Sequence, residues 1–211
     1  MGRKGILIVF SGFSGAGKGT IMNELMRRYS DTYALSVSAT TRQPRPGERE
    51  GREYFFKTTE EFEKMIENHQ LIEYARYVEN YYGTPKAYVE EQLNAGKDVI
   101  LEIEIQGALN IKKIFPDALL LFVTTPDARI LKDRLVGRGT ETMDVILARL
   151  QRAKEESLGI ENYDYLVVND ELESTVEEVH SIIRNEHNRV VRNVEFIGKV
   201  REDLESFLKG E

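Results

Sequence analysis

Apolar residues along this chain fall into short continuous runs, separated by stretches in which they return at helical spacing. The first run, Ile6 to Phe10, reads Ile-Leu-Ile-Val-Phe without a polar interruption. Strands covered on both faces do not alternate, so such a run predicts a central strand of a parallel sheet. Similar runs recur at Val99-Ile-Leu-Glu-Ile-Glu, at Asp117-Ala-Leu-Leu-Leu-Phe-Val-Thr-Thr and at Tyr165-Leu-Val-Val-Asn. A fifth, Leu35-Ser-Val-Ser-Ala-Thr-Thr, loses its apolar character toward its end. Between them, Ile21, Leu25 and Met26 mark a helix over 20–29, and Thr58 and Glu61 have capping-box spacing ahead of Phe62, Met65 and Ile66 in a helix over 59–67. Further helices are predicted over 85–94, with proline in the first turn and Gly96 closing it, over 127–136, and over 143–157 on Met143, Ile146, Leu147, Leu150 and Ala153. A long helix is expected over 174–192, and Val200, Leu204, Phe207 and Leu208 place a last one over 199–208, to which no function is assigned.

Alternating strands and helices predict an α/β fold, a parallel sheet of about five strands wrapped by helices. The segment 37–85 departs from that rhythm with a strand, a helix and the strand 71–78, and reads as a small α+β insertion. Residues 127–157, two helices around Gly137-Arg138-Gly139-Thr140, read as a helical lid. The remaining segments, 1–36, 86–126 and 158–211, form a discontinuous core.

Chemistry enters where the first strand ends. Gly12, Phe13, Ser14, Gly15, Ala16, Gly17, Lys18, Gly19 and Thr20 follow it directly. Gly12, Gly17 and Lys18 satisfy the G-x-x-x-x-G-K part of a nucleotide phosphate loop, in which backbone N–H groups and a lysine surround phosphate oxygens at a helix N-terminus. The hydroxyl slot holds Gly19, with Thr20 one residue later, which argues against a side chain here ligating magnesium directly. Downstream, Arg42 and Arg45 follow a cluster of Ser36, Ser38, Thr40 and Thr41 at the end of a predicted strand, where ligands gather in open α/β sheets. Guanidinium forks hold phosphate bidentately, so a second phosphate site is expected there. Glu102 and Glu104 stand at i and i+2 and point the same way if the strand runs through both. Carboxylates so placed need cations, and either magnesium or the arginines could supply them. Arg149 and Arg152 fall off the apolar stripe of their helix, and Arg134 and Arg138 share a face if the preceding helix continues by a turn.

Composition narrows the partners. With 41% hydrophobic and 31% charged residues, the chain has the make-up of a globular protein. It has no apolar run long enough to span a bilayer and no leader-like segment at Met1, so a cytoplasmic location without membrane contact is expected. A net charge of −7 argues against nucleic acid as a partner, and the absence of cysteine excludes disulfides and thiolate metal sites. His69, His180 and His187 show no metal-ligand spacing.

Together these motifs suggest phosphoryl transfer between nucleotides, and at this point the sequence resembles the guanylate kinase family. The resemblance rests on Gly-Phe-Ser-Gly-Ala-Gly-Lys, on Ser-Val-Ser-Ala-Thr-Thr-Arg-Gln-Pro-Arg-Pro-Gly-Glu and on Gly-Arg-Glu-Tyr-Phe-Phe. Leu-Ile-Glu-Tyr, Asn-Tyr-Tyr-Gly-Thr, Leu-Glu-Ile-Glu-Ile-Gln-Gly and Arg-Leu-Val-Gly-Arg-Gly-Thr-Glu-Thr extend it to about Arg192. The resemblance implies a P-loop NTPase fold and transfer of the γ-phosphoryl of ATP, as Mg-ATP, to GMP and dGMP. It implies that Arg42, Arg45, Tyr54 and Tyr82 hold the GMP phosphate, and that Ser38, Glu73 and Thr84 face guanine, with Glu102 and Glu104 nearby. It also implies that Lys18, Arg134, Arg138 and Arg149 clamp the transferring group and that Asn169 lies near adenine. The family more often has Asp at the position of Glu104 and Ser at that of Gly19, so magnesium is expected to be held largely through water and no direct ligand is assigned. A binding module of the same fold would have a degraded phosphate loop, and a kinase for another small acceptor would lack the Arg42–Tyr54 block and Glu73. Oligomeric state is not legible at this stage.

Overall fold

The computed structural model describes residues 3–77, 79–137, 139 and 142–209. In chain order its elements are β1 (Leu7–Gly12), α1 (Lys18–Arg28), β2 (Tyr33–Leu35), β3 (Ser38–Thr40), β4 (Tyr54–Phe56), α2 (Thr59–Glu67), β5 (Leu71–Tyr77) and β6 (Asn80–Pro85). Then come α3 (Lys86–Asn94), β7 (Asp98–Glu102), α4 (Ile105–Ile114), β8 (Leu119–Thr124), α5 (Ala128–Gly137), α6 (Met143–Ser157), β9 (Tyr165–Val168), α7 (Leu172–Glu186) and α8 (Val194–Lys209).

Five strands make one sheet in the order β2-β7-β1-β8-β9, every neighbour pair parallel. The unbroken run at β1 is explained by its two neighbouring layers. Ile6, Ile8 and Phe10 pack on one face with Ile21 and Leu25 of α1 and Val176, Val179 and Ile183 of α7. Leu7 and Val9 pack on the other with Val89 and Leu93 of α3 and Ala108 and Ile111 of α4. At the amino-terminal edge of this sheet the buried Asp98 accepts the Ile6 N–H at 2.8 Å and meets His187 Nε2 at 2.8 Å.

A second sheet, β4-β3-β6-β5, pairs β3 with β4 in parallel and with β6 antiparallel, and β6 with β5 antiparallel. Beside it α2 begins at a full capping box, in which Thr58 Oγ accepts the Glu61 N–H at 3.1 Å and Glu61 Oε2 accepts the Thr58 N–H at 2.8 Å.

Several sequence expectations change. The run 35–41 is two strands rather than one, β2 ending in the large sheet and β3 beginning in the small one, because the chain crosses between sheets at Ser36 and Val37. β7 stops at Glu102 and Glu104 is the N-cap of α4, a helix that the sequence reading missed, so strand pleating does not set the direction of the two carboxylates. Met143 and Leu147 are exposed, and of the expected α6 stripe only Ile146 and Ala153 are buried. The helix expected over 174–192 ends at Glu186, a short 3-10 helix follows at Val190–Arg192, and the last helix begins at Val194.

Candidate active site

The carboxyl ends of β1, β7, β8 and β9 converge, and the phosphate loop leaves β1 among them. Gly12 runs against β8 so closely that a Cβ there would stand 2.2 Å from the Val123 carbonyl oxygen. Gly17, the N-cap of α1, has φ 92°, and its Cβ would lie 2.4 Å from Asn169 Nδ2. Both positions therefore demand glycine, the second for its left-handed backbone as well. The first turn of α1 has no acidic residue, so its amide end remains positive. Lys18 folds back over the loop, Nζ donating to the carbonyl oxygens of Gly12 at 2.7 Å and Phe13 at 3.3 Å and lying 4.0 Å from Glu102 Oε1.

Three more side chains brace this loop. Asn169 Nδ2 donates to the Ala16 carbonyl at 2.7 Å. Arg134 Nη1 reaches the same carbonyl at 3.4 Å while Nη2 donates to the Asn169 carbonyl at 2.9 Å. From α6, Arg149 Nη1 donates to Ser14 Oγ at 2.5 Å. Phe13 meets Phe122 edge to face at 5.0 Å, a Cβ on Gly15 would lie 3.0 Å from Leu135 Cδ2, and Gly19 and Thr20 are exposed.

Across from the loop stand residues of the small sheet. The Arg42 guanidinium pairs with Glu48 at 2.9 Å and lies over the Tyr54 ring, 5.3 Å from its centroid. That ion pair raises Arg42 further above its ordinary range and holds the Glu48 carboxyl below its own. Tyr82 and Tyr54 meet edge to face at 6.0 Å. Arg45 is exposed and donates its backbone N–H to Glu48 at 2.7 Å. Deeper in, Thr84 Oγ1, fully buried, donates to Glu73 Oε1 at 2.7 Å. Burial raises the Glu73 carboxyl above its ordinary value, the Thr84 hydrogen bond opposes that rise and the Glu104 charge adds to it. Ser38, part-buried in β3, is in register with Tyr54.

Between the two groups lies a cleft of about 680 Å³, lined among others by Gly12, Lys18, Tyr54, Glu102, Glu104 and Arg149. The expected phosphate loop and one wall of the expected acceptor site thus share one space. Asn169 and Arg134 do not line that cleft and hold the Ala16 carbonyl of the loop instead, and Arg138 lies outside the described residues. The sequence reading left Arg152 without a role. It lines the cleft and pairs with Glu104 and, at 3.0 Å, with Glu156. Glu48 was missed, and its proximity in sequence to Arg42, inside a proline-bounded loop, was the available signal.

Among the described residues no group of three or more His, Cys, Asp or Glu gathers as a metal cage. Glu102, 4.0 Å from Lys18, and Glu104, paired with Arg152, are exposed oxygen donors on this cleft and suit a hard divalent cation that keeps waters and takes its other ligands from phosphates.

A sequence model of the guanylate kinase family matches residues 4–186. The chain is 53% identical over 192 residues to guanylate kinase of Streptococcus thermophilus (strain CNRZ 1066), covering 91% of this chain and 92% of that protein. To guanylate kinase of Lactococcus lactis subsp. lactis (strain IL1403) it is 52% identical over 195 residues, covering 92% and 95%. The crystal structure of guanylate kinase from Anaplasma phagocytophilum superposes with a TM-score of 0.69 at 30% identity, over 90% of each chain.

Proposed function

The chain belongs to the guanylate kinase family, whose reaction is ATP-dependent phosphorylation of GMP, and from that premise we propose how its own residues carry the transfer. The observation that carries the reading is the shared cleft, with Lys18 and the glycine loop on one side and Tyr54, under Arg42, on the other. Two phosphorylated nucleotides entering from these sides would meet phosphate to phosphate.

On the donor side, the amides of Gly12 to Thr20 and Lys18 take the β- and γ-phosphates of ATP, and Asn169 lies toward adenine. Arg149, one hydrogen bond from Ser14, neutralises the transferring group, joined by Arg138 and by Arg134 once it leaves the carbonyls it now holds. On the acceptor side, Arg42, Arg45, Tyr54 and Tyr82 take the GMP phosphate, which would displace Glu48 from Arg42. Glu73 faces guanine together with Ser38 and Thr84. Guanine's N1–H and N2–H₂ are adjacent donors that one carboxylate accepts as a pair, and adenine has no such edge. None of the roles assigned here uses the 2′-hydroxyl, so dGMP is expected to serve as an acceptor as well.

A GMP phosphate oxygen attacks the γ-phosphorus in line. The new P–O bond forms as the bond to the β-phosphate oxygen breaks, and ADP leaves with that electron pair. No side chain becomes covalently attached. The protein positions both groups and supplies cations where charge develops. Magnesium, entering as Mg-ATP beside Glu102 and Glu104, would offset phosphate charge.

We assign 127–157 as a lid, 37–85 as the acceptor-binding insertion and the rest as the ATP-binding core. The reading fits a cytoplasmic enzyme acting on small nucleotides. No described helix is long and apolar enough to cross a membrane. The test is ADP formation from Mg-ATP with GMP, dGMP, AMP, UMP and CMP offered separately. Turnover confined to GMP and dGMP is expected. Rapid turnover of another acceptor would overturn the role given to Glu73, and binding of ATP without any turnover would overturn the kinase reading.

A further inference from the structure

Helix α6 borders two separate spaces. Arg149, Arg152 and Glu156, at i, i+3 and i+7, line the reaction cleft. Leu150, Ala153, Lys154 and Ser157, at i, i+3, i+4 and i+7, line a second cavity of about 580 Å³ on the neighbouring face. Its other walls include Phe13 of the phosphate loop, Thr124 and Thr125 at the end of β8, and Ala128 and Leu131 of α5. Small side chains leave that space: Ala128 on one helix, Ala153 and Ser157 on the other. The volume is that of a small-molecule site, and no residue lines both this cavity and the cleft.

What the cavity can take follows from its polar groups. Thr125 Oγ1 donates to the Asp127 carbonyl at 2.8 Å, Thr124 Oγ1 to the Thr125 carbonyl at 3.1 Å and Ser157 Oγ to the Lys154 carbonyl at 2.7 Å. Asp127 Oδ1 accepts the Ile130 N–H at 2.8 Å. These hydroxyl protons are spent within the chain, so none is left to read a sugar or a base. The interior offers apolar surface instead, from Phe13, Leu131, Leu150 and Ala153. Its rim is charged. Arg129, Lys132 and Lys154 are exposed there, and Asp127 is the one carboxylate among the lining residues. A chain of net charge −7 thus sets three cations against one anion around an apolar hollow.

We propose that this cavity binds a soluble amphipathic anion, an apolar chain carrying one carboxylate, with the chain between α5 and α6 and the carboxylate at Arg129, Lys132 and Lys154. Burial of the chain supplies affinity and the cations supply orientation. An uncharged chain gains only the first, and a cationic one is repelled. The occupant touches Phe13, Leu131 and Leu150 at once. It therefore favours the arrangement described over any in which α5 and α6 move relative to the phosphate loop. On the lid reading proposed above such movement accompanies each turnover, so the bound anion lowers kcat from outside the cleft. The binding itself does not depend on that reading.

The test is titration calorimetry of the full chain with decanoate, and with decanol and decyltrimethylammonium in parallel. One decanoate per chain is expected, with Kd on the order of 100 µM and the other two binding about tenfold more weakly or worse. Ala128→Phe, which fills the space from an exposed position, should weaken decanoate by about tenfold or more and leave basal turnover unchanged. Lys132→Glu with Lys154→Glu should weaken it likewise and turn the preference to decyltrimethylammonium. At saturation decanoate should lower kcat by about threefold or more with KM for GMP within about twofold. No binding up to about 5 mM would overturn the proposal, as would binding indifferent to both variants or displaced by ATP or GMP. Binding as expected with kcat unchanged would overturn the coupling to turnover. Binding to anionic vesicles but not to decanoate, lost in Ala128→Phe, would replace the soluble acid with a lipid surface.

Discussion

Glu73 is where the selectivity of the proposed site comes down to one side chain. It is a carboxylate held by one hydroxyl, Thr84 Oγ1 at 2.7 Å, in surroundings that raise its protonation midpoint above the ordinary value of 4.5. Glu73→Gln keeps the shape but loses the charge-assisted pair to guanine. It should raise KM for GMP by about 10²-fold while leaving KM for ATP within about threefold. Equal effects on both would place Glu73 away from the base. The raised midpoint also gives the acid limb a sign. On the proposed role guanine pairs with the ionised form, and a raised midpoint means that form is lost at a higher pH than for an ordinary glutamate. On that role, KM for GMP should therefore climb as pH falls, beginning at a higher pH than an ordinary glutamate would set. The GMP phosphate itself titrates near pH 6 in both proteins, so the part of the climb absent from Glu73→Gln belongs to Glu73. Lys18→Met, removing the cation over the loop, should lower kcat by on the order of 10² or more with unchanged circular dichroism, and Arg138→Met should do likewise on the lid reading. At this scale the sequence was informative where a motif had spacing, as at Gly12, Gly17 and Lys18. It was silent where the partner of a charge depends on loop shape, as for Glu48 on Arg42 and Glu104 on Arg152.

Elements were legible in proportion to how far their burial was two-sided. β1 and β8, covered on both faces, are unbroken apolar runs, and both lie where the pattern put them. The break between β2 and β3 left no such mark, because two short strands in different sheets and one continuous strand have the same local composition. α4 was missed because Ile105-Gln-Gly-Ala follows an apolar strand directly, with no strong N-cap residue: Glu104 occupies that position without a side-chain cap bond. The opposite case is α2, whose capping box was read from Thr58 and Glu61 and is fully formed. Thr58→Ala should cost about 1 kcal/mol in urea unfolding without changing KM for ATP. Gly17→Ala acts on the start of α1 instead. It forces a side chain onto a backbone at φ 92° and into Asn169, so it should both destabilise by about 1–2 kcal/mol and raise KM for ATP severalfold. A variant with normal stability and normal KM would mean that the loop turns differently from the conformation described.

For the whole molecule, the arrangement of the two sheets carries a consequence for water. The cleft between the phosphate loop and Tyr54 is open to solvent, and its cations are satisfied within the chain, Arg42 by Glu48 and Arg149 by Ser14. A γ-phosphoryl group held there in the open would be exposed to hydrolysis, so productive transfer requires the acceptor side to close once both nucleotides are present. Substrate phosphates supply the driving force, since each is a stronger partner for a guanidinium than the neutral or single-carboxylate contact it replaces. Because the chain has no cysteine, dye pairs can be placed without background at Glu60→Cys on α2 and Glu178→Cys on α7, both exposed. Energy transfer between them should rise when GMP and a non-hydrolysable ATP analogue are both bound, and by less with either alone. Adding Glu73→Gln to the labelled chain should move the GMP-dependent part to about 10²-fold higher GMP and spare the rest. An unchanged signal with both ligands saturating would mean that the cleft is already in its working shape, and water would then have to be excluded by the nucleotides themselves.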